Sequence, residues 1–193
     1  MKTQTPAEAA RIDALCNELL SLTGSTREGL PEAVFLLASQ LTPLVNVDLL
    51  IRNAAGQTLL TWRDDAFCGP GWHVPGGIVR FKETFAQRIE AVAASELGCR
   101  VRFAPTPRAL NEIQVPHREV RGHFISLLFD CQLLTPPSPA LKSGDGMPTK
   151  GQWQWHDRSP DSLIRVHAMY RPYIDAPAAR WQTPADPSPK VDS

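Results

Sequence analysis

The chain has 193 residues, and its 20 lysines and arginines balance its 20 aspartates and glutamates, so its formal net charge is zero. A chain of this length suits one domain with appendages and buries a sizeable core without disulfides or metals as staples. Because a neutral chain has no general positive field, we expect no nucleic acid and no membrane surface as partners, only small molecules.

The cysteines and the N-terminal segment predict a reducing compartment. Cys16, Cys68, Cys99 and Cys131 are widely scattered, with no CxxC spacing. This arrangement favours neither a zinc site nor a disulfide framework. The N-terminal segment contains no targeting signal and no run of the ~20 apolar residues that a membrane span needs. We therefore expect a cytoplasmic protein.

Two amphipathic helices are predicted in residues 1–42, which we treat as an N-terminal helical extension. Apolar residues recur at helical spacing over residues 6–23. A second helix is predicted from Pro31, a residue favoured at the first helical position, to the stop at Pro43. We interpret the pair as packing against the core or against the partner of a homodimer, with a regulatory role as the alternative.

The next segment is predicted to form a β-hairpin. The aliphatic residues 44–53 indicate a buried strand, residues 53–56 a turn, and residues 58–62 a second strand. Asp48 interrupts the first strand, and a carboxylate in such a setting is rarely buried without a partner. Asp48 is therefore either a hydrogen-bonded structural residue or a residue that faces a substrate.

Residues 71–101 contain the most specific local signals. A short strand is followed by a double-glycine turn at Gly76 and Gly77, where glycine permits positive φ or the close approach of another group. A helix is predicted from Thr84, which has the capping-box spacing to Gln87, to Gly98, which is placed as its C-terminal cap.

The same residues have the spacing of a degenerate Nudix box, whose full form is GX5EX7REUXEEXGU, where U is aliphatic. Gly77, Glu83, Glu96 and Gly98 match it. Three charged positions of the motif are substituted, namely at Ala91, Val92 and Ser95. With the preceding strands, residues 43–134 resemble Nudix hydrolases, and among these the GDP-mannose mannosyl hydrolase branch.

The resemblance implies the fold and the domain limits. It implies an α/β (α+β) Nudix fold, a mixed β-sheet sandwiched between helices, for residues 43–176. The Pro-rich residues 177–193 are expected to form a disordered tail.

The resemblance also implies a metal and phosphate-binding residues. Mg²⁺, with Mn²⁺ as the alternative, is expected as a single ion held by Glu96 and the Gly76 carbonyl, because Mg²⁺ prefers hard oxygen ligands. Arg63 is expected to reach the diphosphate; otherwise it forms a surface ion pair with the aspartates that follow it. A second arginine of that branch corresponds to Ile78 here, and Arg80 and Lys82 are near enough to substitute for it.

Acid–base residues are less clearly indicated. Glu83 is either catalytic or an anion that stabilises the helix N-terminus. His117, Glu119 and His123 are candidate bases, unless their segment is only a polar turn. In the mannosyl hydrolases a glutamine and the histidine base precede the next strand, and this chain has Thr149 and Lys150 there.

These features predict a Mg²⁺-dependent hydrolase of a nucleoside diphosphate sugar or a related nucleoside diphosphate derivative. The missing glutamates favour attack at the sugar carbon, because attack at phosphorus benefits from several metals. The alternatives are a pyrophosphohydrolase that attacks phosphorus and a non-catalytic nucleotide-sugar sensor.

Overall fold

The computed structural model describes residues 4–177, which form four α-helices and eight strands. The helices are α1 (Pro6–Thr23), α2 (Glu32–Leu41), α3 (Phe85–Leu97) and α4 (Arg171–Ile174). The strands are β1 (Leu44–Ile51), β2 (Thr58–Arg63), β3 (Gly71–His73), β4 (Gly76–Ile78), β5 (Val101–Phe103), β6 (Ala109–Gln114), β7 (His123–Leu133) and β8 (Trp153–His156). A 3-10 helix, Arg165–Tyr170, leads directly into α4.

The strands form two sheets. The five-stranded sheet has the order β4-β1-β7-β5, and β6 also pairs with β7. It is mixed, since β1 and β7 are parallel along all of β1 and the other pairs are antiparallel. The antiparallel three-stranded sheet has the order β3-β2-β8.

Alternation along β1 explains how the larger sheet is covered on both faces. Val47, Leu49 and Ile51 belong to a core cluster that includes the apolar face of α3. The intervening Leu50 belongs to a second cluster that includes Tyr170 and the C-terminal helical segment. Helices therefore cover both sides of the sheets, which confirms the predicted α+β sandwich.

The local signals in α3 are confirmed. The Thr84 side chain accepts from the N–H of Gln87 at 3.2 Å, and the Gln87 side chain accepts from the N–H of Thr84 at 2.9 Å. Gly98 caps the C-terminus with φ of 62°. Ile89 is fully buried in the core, whereas Phe85 is 44% exposed.

The predicted hairpin forms only at its turn, and its two strands do not remain paired. β1 and β2 meet only in an isolated bridge between Arg52 and Thr58, beside the turn. Beyond it they belong to different sheets, because β2 pairs on its two sides with β3 and β8. A turn sequence does not determine whether the strands it joins remain paired.

The double glycine is also not a turn. Gly76 and Gly77 lie in β4, which pairs with β1. A Cβ at Gly76 would overlap Oδ1 of Asp48 and lie 2.8 Å from the Val47 carbonyl oxygen. A Cβ at Gly77 would lie 2.8 Å from Cγ2 of Val92 in α3. Both glycines therefore permit close packing of backbone against its neighbours.

The N-terminal extension contains the two predicted helices, and they pack differently. No residue of α1 is buried, whereas Ser39 of α2 is 7% exposed and contacts the segment before β7. Within residues 4–177, no helix combines the length and apolarity that crossing a bilayer requires. Residues 178–193, which are all but the first residue of the predicted disordered tail, lie outside the described residues.

Arg52 joins the end of β1 to the C-terminal helical segment. Its guanidinium donates to the carbonyls of Tyr173, Ile174 and Ala176, at 3.0 Å for Ile174 and 2.8 Å for Ala176. The residue is only 6% exposed. These bonds pair a buried charge with the carbonyls of a helix C-terminus.

Candidate active site

Two adjoining cavities share Arg63, His73 and Gly76 in their walls. The first, about 220 Å³, is also lined by Asp48, Arg118 and Arg121, and we call it the arginine cavity. The second, about 270 Å³, is also lined by Glu96, Thr61 and Lys150, and we call it the Glu96 cavity. The candidate site extends over both.

Glu96 lies in the last turn of α3 and is partly buried. Burial raises the pKa of its carboxyl to about 7, the Arg63 charge lowers it, and the Asp48 charge raises it. Hydrogen bonds from the Gly76 backbone and the Thr61 side chain favour the ionised form. Glu96 is therefore a carboxylate whose protonation changes near neutral pH.

The backbone of Gly76 points towards the side of β4 that β1 does not occupy. The N–H of Leu49 donates to the Pro75 carbonyl, and the N–H of Val79 donates to the Val45 carbonyl. Since hydrogen-bonded and non-hydrogen-bonded pairs alternate in antiparallel strands, Gly76 opposite Asp48 is a non-hydrogen-bonded pair. Its N–H and carbonyl are thus available to groups outside the sheet, and Glu96 uses the N–H.

Asp48 is 1% exposed and is fixed by two hydroxyls. Oδ2 accepts a hydrogen bond from Tyr170 at 2.6 Å and another from Ser126. Burial raises the pKa of Asp48 to about 6, although the hydrogen bonds oppose this shift. Oδ1 lies beside Gly76. Asp48 is therefore a hydrogen-bonded residue of the core, and it also lies in the wall of a cavity.

Arg63 ends β2 and lies between the two cavities. Its Nε donates to Oδ2 of Asp65 at 2.5 Å. Burial opposes ionisation of Asp65, but hydrogen bonds from Arg63 and from the N–H groups of Cys68 and Phe67 lower its pKa to about 2. The ion pair therefore orients Arg63 in the shared wall.

Two buried histidines, His73 and His167, line the arginine cavity and were not predicted. Nδ1 of His73 lies 2.8 Å from the Thr61 carbonyl oxygen, and Nδ1 of His167 accepts from the N–H of Val74 at 3.1 Å. Burial lowers the pKa of each to about 3, so both are neutral at pH 7. The strand before the double glycine contains His73, but no sequence signal relates His167 to this region.

Four predicted site residues line neither cavity: Glu83, Arg80, His117 and His123. Arg80 donates to the carbonyl of Arg27 in the N-terminal extension. His117 is exposed, and Nε2 of His123 lies 2.9 Å from Oε1 of Glu112 on β6. The third base candidate, Glu119, is also exposed.

Glu83 forms a structural ion pair. Arg88, one turn into α3, donates to both of its carboxylate oxygens at 2.8 Å, and the N–H of Arg80 adds a bond of 2.9 Å. Burial raises the pKa of Glu83, but these contacts lower it overall. Arg88 is thus the cationic partner of Glu83, although Ala91 occupies the arginine position of the motif.

The segment before β7 contributes arginines, and not the predicted base candidates, to the wall of the arginine cavity. Arg118 and Arg121 line the cavity, whereas His117 and Glu119 do not. Arg118 donates to the Phe67 carbonyl. Alternation of charge in this segment gave no sign of which side chains face inward.

The oxygen donors present fit one hard cation. Glu96 supplies a carboxylate and Gly76 a carbonyl, and Mg²⁺ usually retains several waters beside one or two carboxylates. Val92, at one glutamate position of the motif, is 2% exposed in the core, and Ser95 has no carboxylate. Within residues 4–177, no group of three His, Cys, Asp or Glu side chains is placed to hold a metal.

Comparisons with known proteins identify the fold. No protein-family model matches the chain. The low-salt glycan biosynthesis protein Agl8 of Haloferax volcanii is 45% identical over 56 residues, which are 29% of this chain and 35% of that protein. The chain thus spans about a third of the length of the curated relative that it matches.

Solved structures of Nudix proteins resemble most of the described domain. A MutT Nudix hydrolase from Burkholderia pseudomallei has 19% identity and a TM-score of 0.52, covering 66% of this chain and 95% of that one. An ADP-ribose pyrophosphatase from Streptococcus suis has 16% identity and a TM-score of 0.50, covering 75% and 97%. The chain has the Nudix fold, which confirms the expectation from its motif.

Proposed function

We propose that this protein is a Mg²⁺-dependent hydrolase of a nucleoside diphosphate derivative, with nucleoside diphosphate sugars as the first class to test. The observation that supports it most is the meeting of Glu96, the Gly76 backbone and Asp48 beside Arg63, where two cavities adjoin. The relative in Haloferax volcanii is described as a glycan biosynthesis protein, which is compatible with a substrate that contains a sugar.

The charges of the residues that line the arginine cavity suit a diphosphate ligand. Arg63, Arg118 and Arg121 line a cavity whose two histidines are neutral. A guanidinium pairs with phosphate oxygens through two parallel hydrogen bonds, which fixes orientation as well as charge. We propose that Arg63 binds the diphosphate, because it lies between the two cavities and can contact a ligand in either.

Glu96 and the Gly76 carbonyl are the proposed ligands of one Mg²⁺. When bound, the ion neutralises the charge that develops on the diphosphate as it leaves. Glu96 must be ionised to bind the ion, and its pKa of about 7 means that a proton competes for it at neutral pH.

We propose attack by water at the sugar carbon. The water oxygen bonds to the anomeric carbon, the bond from that carbon to the diphosphate oxygen breaks, and the water gives up a proton. Asp48 is the proposed acceptor, because its pKa of about 6 leaves it mostly ionised at pH 7 and Oδ1 faces Gly76. The absence of carboxylates at Val92 and Ser95 favours this route over attack at phosphorus.

Product analysis tests the proposal. A panel of nucleoside diphosphate sugars is incubated with the full chain and Mg²⁺, and the products are separated by chromatography. Carbon attack yields a reducing sugar and a nucleoside diphosphate, with ¹⁸O from labelled water in the sugar. Glu96→Gln should abolish turnover, whereas Glu90→Gln, an exposed glutamate of the same helix, should retain it. Equal activity of the two variants would contradict the metal assignment.

Two alternatives give different products. Attack at phosphorus yields a mononucleotide and a sugar phosphate, with ¹⁸O in a phosphate. A non-catalytic sensor is favoured by the positions of His117 and His123 outside both cavities and by the low basicity of His73 and His167. It predicts thermal stabilisation by nucleotide sugars without products at high protein and Mg²⁺ concentrations.

A further inference from the structure

Arg121 is held in the arginine cavity by the N-terminal extension. Its backbone adopts φ of 52°, a conformation uncommon for residues other than glycine. Its N–H donates to Oγ of Ser39 on α2 at 3.0 Å, and that hydroxyl donates to the Leu36 carbonyl at 2.7 Å. Ser39 is the buried residue of α2. The helix therefore supplies a specific partner for an unusual backbone conformation.

The guanidinium of Arg121 is oriented by two aromatic rings. It lies 4.4 Å from the ring centroid of Phe67 and 5.6 Å from that of Phe35, which also belongs to α2. Stacking of this kind leaves the edge of the guanidinium available for hydrogen bonds. Nε of Arg121 is buried and has no hydrogen-bond partner among the described residues.

Three guanidinium groups share the cavity with few compensating anions. Asp65 pairs with Arg63, and Asp48 is bound by two hydroxyls. Burial and then the charge of Arg63 lower the pKa of Arg121, which is the sign expected for cations that crowd one another. Since an unpaired buried donor costs free energy, a bound anion would stabilise this arrangement.

We propose that α2 completes the substrate site, by holding Arg121 in position to bind the diphosphate group together with Arg63, which lines the same cavity. This inference rests on the proposed function for the identity of the anion. It assigns Arg121 to direct binding and Ser39 and Phe35 of α2 to its positioning. The N-terminal extension is then a determinant of affinity for phosphorylated ligands.

Binding of inorganic pyrophosphate to the full chain, measured by calorimetry in metal-free buffer, tests the inference. Arg121→Gln should weaken binding by about tenfold to a hundredfold, the loss expected for a charge-assisted hydrogen bond. Arg121→Lys should recover part of it. Arg100→Gln removes one exposed arginine that lines neither cavity and should bind as the wild type does.

Ser39→Ala tests the positioning role. It removes no charge, so a loss of about threefold to tenfold in pyrophosphate affinity would show that the backbone contact positions Arg121. Thermal unfolding of each variant shows whether it is folded at the assay temperature. If Ser39→Ala does not fold, Phe35→Leu is measured in its place. It removes one of the two rings that contact the Arg121 guanidinium, and the same loss of pyrophosphate affinity is expected.

Cys68 provides a second measurement, because its Sγ lies in the cavity wall, 3.8 Å from Nη1 of Arg118. In a Cys16→Ser background, pyrophosphate should slow alkylation of Cys68 by iodoacetamide. The protection should disappear in Arg121→Gln. Cys99 and Cys131 are buried and serve as internal references.

The outcomes separate this inference from the proposed function. Absence of pyrophosphate binding by the wild type, or equal affinity of the wild type and Arg121→Gln, overturns the inference. Turnover of a nucleoside diphosphate sugar with a KM that Arg121→Gln leaves unchanged overturns it as well. Binding that depends on Arg121, without turnover of any nucleotide sugar, supports the inference and overturns the proposed function.

Discussion

The hydroxyl of Tyr170 donates a hydrogen bond of 2.6 Å to Oδ2 of Asp48, linking the 3-10 helix to the middle of β1. Tyr170 is fully buried, and Ser126 donates to the same oxygen. The two hydroxyls compensate for the burial of the carboxylate and leave Oδ1 towards Gly76. A wall of the arginine cavity therefore depends on a residue 122 positions away in sequence.

Tyr170→Phe should lower the free energy of unfolding by about 1.5–3 kcal/mol at pH 7, because a hydrogen bond to a charged group is lost in the core. It should also raise the pKa of Asp48, since the Tyr170 bond lowers it in the wild type. Denaturant unfolding measures the first effect. In an Asp48→Asn background the same substitution should cost less, and an equal cost in both backgrounds would contradict the coupling.

Gly76→Ala should destabilise the protein by about 3 kcal/mol or more, because the added methyl overlaps the Asp48 carboxylate and the Val47 carbonyl, neither of which can move freely. Gly144→Ala is the matched control, since a Cβ there has no neighbour within 4 Å. It should change stability by about 0.5 kcal/mol or less. Similar midpoints for the two variants in urea would show that β4 is not packed as described.

Glu83→Gln should lower stability by about 1.5–3 kcal/mol without changing metal affinity, because both oxygens of Glu83 bind Arg88 and Arg80. Side-chain exposures of 16% for Glu83 and 11% for Arg88 keep this ion pair from solvent screening. Glu112→Gln weakens the exposed contact with His123 and should cost much less stability, because solvent screens this pair. Loss of Mg²⁺ binding in Glu83→Gln would instead support a catalytic role for Glu83.

The raised pKa of Glu96 predicts a pH dependence of stability. The folded chain holds this proton up to a pKa of about 7, against an ordinary value of 4.5. The stability that this group contributes is therefore fully present below pH 4.5 and is lost as pH rises through 7. Between pH 4 and 8, the wild type should lose about 3 kcal/mol relative to Glu96→Gln.

Bound Mg²⁺ should stabilise the ionised form of Glu96, whereas burial favours the protonated form. Because the ion needs the ionised carboxylate, it should raise the melting temperature more at pH 8 than at pH 5.5. Glu96→Gln should show no such difference. A stability difference between wild type and variant that does not change with pH would contradict the assigned pKa.

The apolar stripe of α1 predicts self-association. Ile12, Leu15 and Leu22 share one helical face and are 43%, 55% and 76% exposed. The homodimer proposed from the sequence would cover this stripe. Light scattering after size exclusion should show a dimer that the double substitution Leu15→Gln and Leu22→Gln converts to a monomer. Leu110→Gln, which is equally exposed on β6, should remain dimeric, and a monomeric wild type would exclude the proposal.

Sequence reasoning predicted the parts of this fold that depend on neighbouring residues. The caps of α3 are encoded by Thr84, Gln87 and Gly98 within the helix ends themselves, and the aliphatic residues of β1 indicate a strand whatever it pairs with. The separation of β1 from β2 was not predictable in this way, because it depends on β8, about 90 residues later. Turn residues alone contain no information about that partner.

The same distinction applies to the candidate site. The resemblance implies Glu96 and Gly76 as site residues, and the structure places both beside Asp48 and Arg63. His167 and Arg121 enter the cavity only through tertiary packing of the 3-10 helix and of α2. A histidine or an arginine at those positions is indistinguishable, in the sequence, from an ordinary polar surface residue.

The contacts of Arg52 determine where the chain can be shortened for crystallisation. Its guanidinium holds the carbonyls of residues 173, 174 and 176, so a C-terminus placed after residue 177 preserves every one of them. A truncation before Tyr173 would leave the Arg52 cation buried without these partners. It would also remove the end of the C-terminal helical segment, which covers the second core cluster. Fusion tags should accordingly follow this segment and not replace it.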